Sequence, residues 1–267
     1  MNEKERWNRL ANHYQSVLHE EKPGGYVDQL IAYLAARGAL KPTSRIADIG
    51  CGTGKYALRF AERGCSLLLL DLAENMMNHT LSNLKNSEAA IESAVGDWSK
   101  IDLTASGWTK SVDLAFAAMT PAVKDVSDIE KLSTISARYC FISRFAQVNN
   151  PLQDALYAAC SSDAAKTGFE QETWLDAIRQ VYELGFFPEL SFRSYDWENQ
   201  LTAEQAEERF FDGYGGSVCD TTENRKKVRL ALAHFADSDG VIYEKVQTKV
   251  AWIFWDVTDR RQIKGEM

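Results

Sequence analysis

Proline and histidine are scarce in this chain, with five and four copies in 267 residues. The four histidines, His13, His19, His79 and His234, show no zinc-ligand spacing, so no structural metal is expected. Cysteine is also sparse. Cys51, Cys65, Cys140, Cys160 and Cys219 stand far apart and form no C-x-x-C pair. That excludes a disulfide framework and points to a reducing compartment, the cytoplasm. No apolar run nears the roughly 20 residues that a membrane span needs. The start, Met1-Asn2-Glu3-Lys4-Glu5-Arg6, is charged with no apolar segment behind it, unlike a secretory signal. Basic residues are the minority, 30 against 38 acidic, for a net charge of −8. This disfavours a phosphate backbone as the main partner, because nucleic-acid affinity rests on Lys and Arg. One basic cluster, Arg225-Lys226-Lys227-Val228-Arg229, reads as a solvated helix face.

What is present is concentrated at residues 46 to 54, Ile46-Ala47-Asp48-Ile49-Gly50-Cys51-Gly52-Thr53-Gly54. An apolar strand runs into three glycines at alternate positions, and a helix-like stretch, Lys55 to Arg63, follows. Such a turn brings bare backbone N–H groups up to a ligand, and glycine leaves room where a Cβ would stand. Asp48 sits at the carboxyl end of the strand, where open α/β sheets bind ligands. A dinucleotide fingerprint is G-x-G-x-x-G. Here the third glycine comes one residue early, at Gly54, which disfavours a dinucleotide oxidoreductase.

The rest of the chain alternates strands and helices. Apolar positions at helical spacing, Trp7, Leu10, Ala11, Tyr14, Val17 and Leu18, predict a helix over residues 4–20. A second helix ends near Gly38. Leu67 to Leu70 reads as a strand buried on both faces, stopping at Asp71. Ala89 to Val95, Val112 to Met119, Tyr139 to Phe145, Leu190 to Trp197 and Val246 to Trp255 are further strands. Leu152–Cys160, Trp174–Leu184, 202–211 and 221–236 read as helices, with a glycine-rich break at Gly213 to Gly216. The expected architecture is a doubly wound, mostly parallel α/β sheet with helices on both faces. No repeat or low-complexity linker divides the chain, so one domain over 1–267 is expected.

With an Asp two residues before the first glycine, D-I-G-C-G-T-G resembles the first motif of class I S-adenosylmethionine (SAM)-dependent methyltransferases. The likeness covers residues 5 to 146 well and the remainder in outline. It implies a seven-stranded sheet with an antiparallel last strand. It also implies an N-terminal helical lid (1–40), a SAM-binding core (41–150), and a region 151–267 that completes the sheet and inserts helices on the substrate side. Gly50, Cys51, Gly52 and Gly54 would pass close to the methionine half of SAM, with Asp48 near its ammonium group. Asp71, 23 residues on, would accept the ribose hydroxyls. Leu72 and Met76 would flank the adenine, with Asp97 on its amino group and Trp98 beside it. The loop after the fourth strand, Ala117-Ala118-Met119-Thr120-Pro121-Ala122, would face SAM and substrate. Tyr14 in the lid would pack against SAM.

Each position also has a plainer use. Asp71 can cap a helix, Asp97 can sit in a turn, Met76 can fill core, and Thr120 can start a turn before Pro121. The loop lacks the Asn- or Asp-Pro-Pro-aromatic string of adenine-amino and glutamine-amide methyltransferases, which disfavours those activities. His13, His79, His234 and Tyr214 are possible bases without a partner visible in the sequence, so no catalytic residue is assigned. Arg144 either meets an anionic substrate or serves as a cap or surface residue. Aromatic residues between Phe186 and Tyr214 suggest a pocket facing the N-terminal helices. The resemblance implies methyl transfer to a small-molecule acceptor, without a membrane or nucleic-acid partner. An RNA (tRNA) methyltransferase and a non-catalytic SAM-binding protein are the alternatives. A second copy of the chain is a further candidate partner, and the oligomeric state stays open.

Overall fold

The computed structural model describes residues 2–16, 18, 24–160, 173–211 and 218–261. Its elements run α1 (Glu3–Ser16), α2 (Tyr26–Ala36), β1 (Arg45–Ile49), α3 (Lys55–Ala61), β2 (Ser66–Asp71), α4 (Glu74–Asn83) and β3 (Ile91–Val95). A single 3-10 turn (Trp98–Lys100) follows, then β4 (Val112–Ala118), α5 (Val126–Ile135), β5 (Ser136–Asn149), α6 (Pro151–Cys160) and α7 (Thr173–Glu183). The chain continues through β6 (Glu189–Ser194), β7 (Trp197–Leu201), α8 (Ala203–Arg209), α9 (Thr222–Leu232) and β8 (Ile242–Asp256). Two compact units divide the chain. The first takes the described residues of 1–144, 173–193 and 251–267, the second those of 145–172 and 194–250.

In the first unit the strands lie in the order β3-β2-β1-β4-β5-β8-β6. The pairs β2–β3, β1–β2, β1–β4 and β4–β5 are all parallel. Strand β2 is Ser66 followed by four leucines and Asp71, and all but Ser66 are buried. That is the composition of a strand covered on both faces. The strand order reverses between β1 and β4, and a doubly wound sheet opens its ligand crevice at such a switch point. Ile49, Leu70, Ala117, Ile129, Leu132, Ile142 and Trp255 share one core cluster. Helix α5 supplies Ile129 and Leu132 and adds Ile135 to the same cluster, after an Asp125 side chain that accepts the Asp128 N–H. The sequence reading named no helix there, although the Asp cap and the i, i+3 apolar spacing were available signals.

Helix α1 packs on α4. Trp7, Leu10 and Ala11 meet Ala73 and Met76. Polar pairs line the same seam, with Asn8 on Asn75, Asn12 on His79 and Gln15 on Asn83.

The second unit has its own core, in which Leu152, Leu156, Phe210, Val228, Leu232 and Ile242 are buried together. There β7 pairs antiparallel with the first part of β8, from Trp197 opposite Val246 to Leu201 opposite Ile242. The fold is thus the expected mostly parallel α/β sheet with an antiparallel C-terminal strand. One count differs: the described residues give eight strands, not seven. The strand read as Leu190 to Trp197 breaks at Tyr195-Asp196 into β6 and β7. At the break the Asp196 carboxylate accepts the Thr248 N–H at 2.8 Å, and the Thr248 hydroxyl donates to the Tyr195 carbonyl. Side chains thus replace ladder bonds there.

Candidate cofactor site

Strand β1 delivers the chain into the glycine turn at the switch point. Gly50 and Cys51 both donate their N–H to the Leu70 carbonyl, at 2.7 and 3.1 Å, which ties the turn to the end of β2. The three glycines then do different work. A Cβ on Gly50 would stand 2.0 Å from Thr120 Oγ1, and one on Gly54 would stand 3.0 Å from Thr80 Cγ2. Those two make room for the protein's own threonines. Gly52, at φ +58°, faces open space, with nothing within 4 Å of its would-be Cβ. Of the three, Gly52 is the one whose missing side chain leaves space unfilled by the protein. Thr80 also donates to the Gly52 carbonyl at 2.6 Å. The sequence reading missed Thr80; a polar residue on the Met76-Met77 buried face of a helix was its signal.

Two carboxylates close the turn. Each oxygen of Asp71 accepts one backbone bond: Oδ2 accepts the Gly52 N–H at 2.9 Å and Oδ1 accepts the Ala73 N–H at 2.8 Å. Burial still raises its pKa, against the pull of those bonds. Asp48 is 1% exposed, and its Oδ2 is buried with no hydrogen-bond partner among the described residues. Burial first, and then the like charge of Asp71, push its pKa up to about 8. Cys51 lies against the same carboxylates. Burial and their charges hold its thiol well above the usual range, so it is a protonated, unreactive wall.

A cavity of about 230 Å³ opens beside this corner. Gly50, Asp71, Leu72, Asp97 and Trp98 line it, together with Glu3, Ala122, Lys124, Asp125 and Asp128. Asp97 there caps the 3-10 turn. Its Oδ1 accepts from the Ser99 N–H and hydroxyl, and its other oxygen pairs with Lys100 at 3.0 Å. Those Ser99 and Lys100 bonds lower its pKa. Trp98 is buried, with its indole N–H on the Asp128 carbonyl at 3.4 Å. Lys124 and Glu3 pair across the cavity rim at 3.0 Å; no pattern in the sequence marked either.

The structure does not gather all the expected residues around that cavity. Met76 lies in the α1–α4 seam. Tyr14 is 44% exposed on α1, its ring edge against Trp7 and His13. Met119 adopts φ +54°, one of two non-glycine residues with positive φ among the described residues. Its N–H donates to the Ser143 carbonyl and hydroxyl, at 3.2 and 3.1 Å. A bulky residue in that region costs about 1–3 kcal/mol, and such strain concentrates at functional sites. Thr120 starts the turn as well as filling the space over Gly50, accepting the Ala122 N–H at 3.1 Å. His79 bonds Asn12 on the α1–α4 seam, and His13 is at the end of α1. Tyr214 and the Gly213–Gly216 break lie outside the described residues.

Residues 46–140 match the family model described as a methyltransferase domain. A Haemophilus influenzae protein described as uncharacterized is 22% identical over 88% of this chain and 83% of its own length. Among solved structures, phosphoethanolamine N-methyltransferase 2 of Haemonchus contortus, in complex with phosphomonomethylethanolamine and S-adenosylhomocysteine, superposes with a TM-score of 0.56. It is 17% identical and is matched over 98% of this chain and 61% of its own. Precorrin 8w decarboxylase of Methanobacterium thermoautotrophicum superposes at a TM-score of 0.50 with 12% identity, over 88% of this chain and 95% of its own. At these identities the superpositions establish the fold, and the fold hosts more than one chemistry. The glycine turn, Asp48 and Asp71 all fall inside the segment, residues 46–140, that matches the methyltransferase-domain model, and the solved structures share its fold.

Proposed function

We propose that the protein transfers a methyl group from SAM to a small-molecule acceptor. One observation carries the reading: the buried Asp48 Oδ2 has no hydrogen-bond partner among the described residues, on the strand that leads directly into the glycine turn where Gly52 faces open space. A desolvated carboxylate without a donor is costly unless a ligand supplies one. The ammonium group of SAM is a donor of the right charge. Asp71 retains lone pairs for the ribose hydroxyls, because each carboxylate oxygen accepts more than one bond. Gly50, Cys51 and Gly54 shape the backbone around the ligand. Leu72, Trp98 and Met119 supply apolar surface, and the cavity at Asp97 suits a planar base. Met76 and Tyr14 act through the lid seam and rim.

When bound, the cofactor supplies an activated methyl on a sulfonium. The chain's own residues supply position. The Ser143 bonds to Met119 and the Thr120–Gly50 contact fix the loop between cofactor and acceptor, and alignment of this kind contributes up to roughly 7–11 kcal/mol in ideal cases. No side chain is required as a base unless the acceptor arrives protonated.

The RNA reading loses its main support. Arg225 is held by Asp220 at 2.6 Å and Glu207 at 2.9 Å, Arg229 by Glu207 at 2.6 Å, and Lys227 by Glu223 at 3.0 Å. Their charge is spent internally rather than offered to phosphates. Among the described residues no helix is long and apolar enough to cross a membrane.

Calorimetry with SAM and S-adenosylhomocysteine, on protein freed of carried-over ligand, tests the proposal. Both should bind, and absence of binding by either ends it. Gly52→Val, which fills the open face and strains a residue at φ +58°, should abolish that binding in a protein that still melts cooperatively.

A further inference from the structure

The sheet of the first unit ends at β6. One side of β6 is laddered to β8, and no described strand lies along the other, so a row of backbone N–H and C=O groups stands open there. Proteins commonly blunt such an edge with lysine or proline. Within Glu189–Ser194 there is neither, and two large apolar side chains are left outside the core, Leu190 at 39% and Phe192 at 43% exposed. The apolar strip continues beside the strand. The Phe192 ring meets Trp174 of α7 edge-on, with centroids 5.1 Å apart. Leu175, next in sequence to Trp174, and Phe187, just before the strand, are exposed as well. Exposed apolar side chains along an open edge mark a site of strand addition.

The alternate positions of the strand carry charge. Arg37 contacts Glu189 at 2.7 and 2.8 Å, both on Oε2, and the Glu189 side chain is still 53% exposed. Arg193 lies over the Trp252 ring at 4.9 Å and donates to the Phe192 carbonyl at 2.8 Å. It makes no ion pair among the described residues.

The string Glu189-Leu190-Ser191-Phe192-Arg193 complements itself when reversed. Set antiparallel about Ser191, a second copy brings its Arg193 opposite Glu189 and its Phe192 opposite Leu190, and symmetry supplies the reciprocal pairs. Directly opposed residues of an antiparallel pair share a face, so charge meets opposite charge and apolar meets apolar. A slip of one residue either way sets a charged side chain opposite an apolar one. The sheet's other edge, β3, fails the same test. Glu92 is the charged residue of Ile91–Val95, so every antiparallel self-pairing leaves it without a cation. Glu92 is also taken within the chain, by Arg45 and by the Trp108 indole N–H.

We propose that β6 is the contact of a two-fold homodimer, in which two copies join edge to edge into one continuous sheet. The occupant is a second copy because the strand's charges and its apolar residues complement their own reversal. The contact uses the same patch on both copies, so it closes at two and builds no filament. No residue of the cofactor corner takes part, and the dimer stands or falls apart from the transferase reading.

Sedimentation of the full chain over a concentration series tests this. The wild type should pass reversibly from monomer to dimer. Glu189→Arg and Arg193→Glu each set like charges opposite one another at both ends of the pairing, and each should raise the dimer Kd at least about tenfold. Mixed in equal amounts, the two variants restore both opposite-charge pairs and should dimerise with each other at near wild-type strength. Structural damage in either variant would not be repaired by mixing. Leu190→Lys places a charge on the exposed strip, and should give a monomer that still melts cooperatively. It decides the matter if a charge variant does not fold. A wild type that stays monomeric at every concentration overturns the proposal. So does a dimer that any of the three variants leaves unweakened, or a mixture that associates no more tightly than its separate components.

Discussion

Asp48 in the first unit and Glu207 in the second are buried to nearly the same degree, 1% and 4% exposed, and are built in opposite ways. Glu207 holds two arginines: Oε1 accepts from Arg225 and Arg229, and Oε2 accepts from Arg229. In the same unit, Glu244 is treated alike, accepting from Asn150 at 2.9 Å and Asn199 at 2.7 Å. Asp48 has an orphaned oxygen, and its charged neighbour, Asp71, has the same sign. A buried charge with its partners supplied is architecture. A buried carboxyl denied them keeps its proton up to about pH 8 in the free protein, and a ligand of opposite charge favours its ionised form.

The sharpest way to break this comparison is Asp48→Asn. Removing a buried charge that meets an ammonium costs several kcal/mol, so SAM affinity should fall at least about a hundredfold by calorimetry. The same change removes the repulsion with Asp71, so the cofactor-free variant should melt above wild type at pH 8. A variant that binds SAM normally would show that the orphaned oxygen is not the ammonium site.

Acidity gives the next largest effect, with opposite signs at the two carboxylates. Asp48 titrates near 8 when folded, against an ordinary 3.8. Its stabilising contribution is complete below the unfolded value and is lost as pH rises through 8. Binding a cation requires the ionised form. SAM affinity should therefore climb with pH by up to about tenfold per unit below 8 and level off above it. At Glu207, burial raises the pKa, but the bonds from Arg229 and Arg225 outweigh it and leave a net lowering from the usual 4.5. Its contribution is present above that value and is lost as pH falls. Glu207→Gln should cost about 2 kcal/mol at pH 7, less at pH 4, and leave SAM affinity unchanged.

How far the sequence disclosed this contrast depends on the distance over which the signal acts. Strand β2, the Asp48-Gly50-Gly52-Gly54 string and Asp71 were legible, because local composition and spacing determine them. Which glycine faces the ligand was not, since it depends on Thr120 and Thr80 arriving from elsewhere in the chain. The same limit applies to the arginines of α9. As a sequence they are a basic cluster; only the fold brings Glu207 from α8 to neutralise them. Asp196 broke an alternating apolar pattern by taking a backbone donor from Thr248, 52 positions away. The resemblance supplied Met76 and Tyr14 as cofactor contacts by position in a motif, and packing placed both on the α1–α4 side.

Asp97 is the closest trial of the contrast, because the two arguments part there. By motif position it belongs on the adenine amino group, and it does line the cavity. By the rule drawn from Asp48 and Glu207, its oxygens are already supplied, one by Ser99 and the other by Lys100. Its side chain is 38% exposed, so water also competes for it. A satisfied, hydrated carboxylate gains little from a further neutral donor. Asp97→Ala should therefore lower SAM affinity by less than about fivefold, and cost about 0.5–1 kcal/mol through the lost cap. If the loss instead approached that of Asp48→Asn, satisfaction within the free protein would not predict which carboxylates bind the ligand. Motif position would then be the better guide to this site.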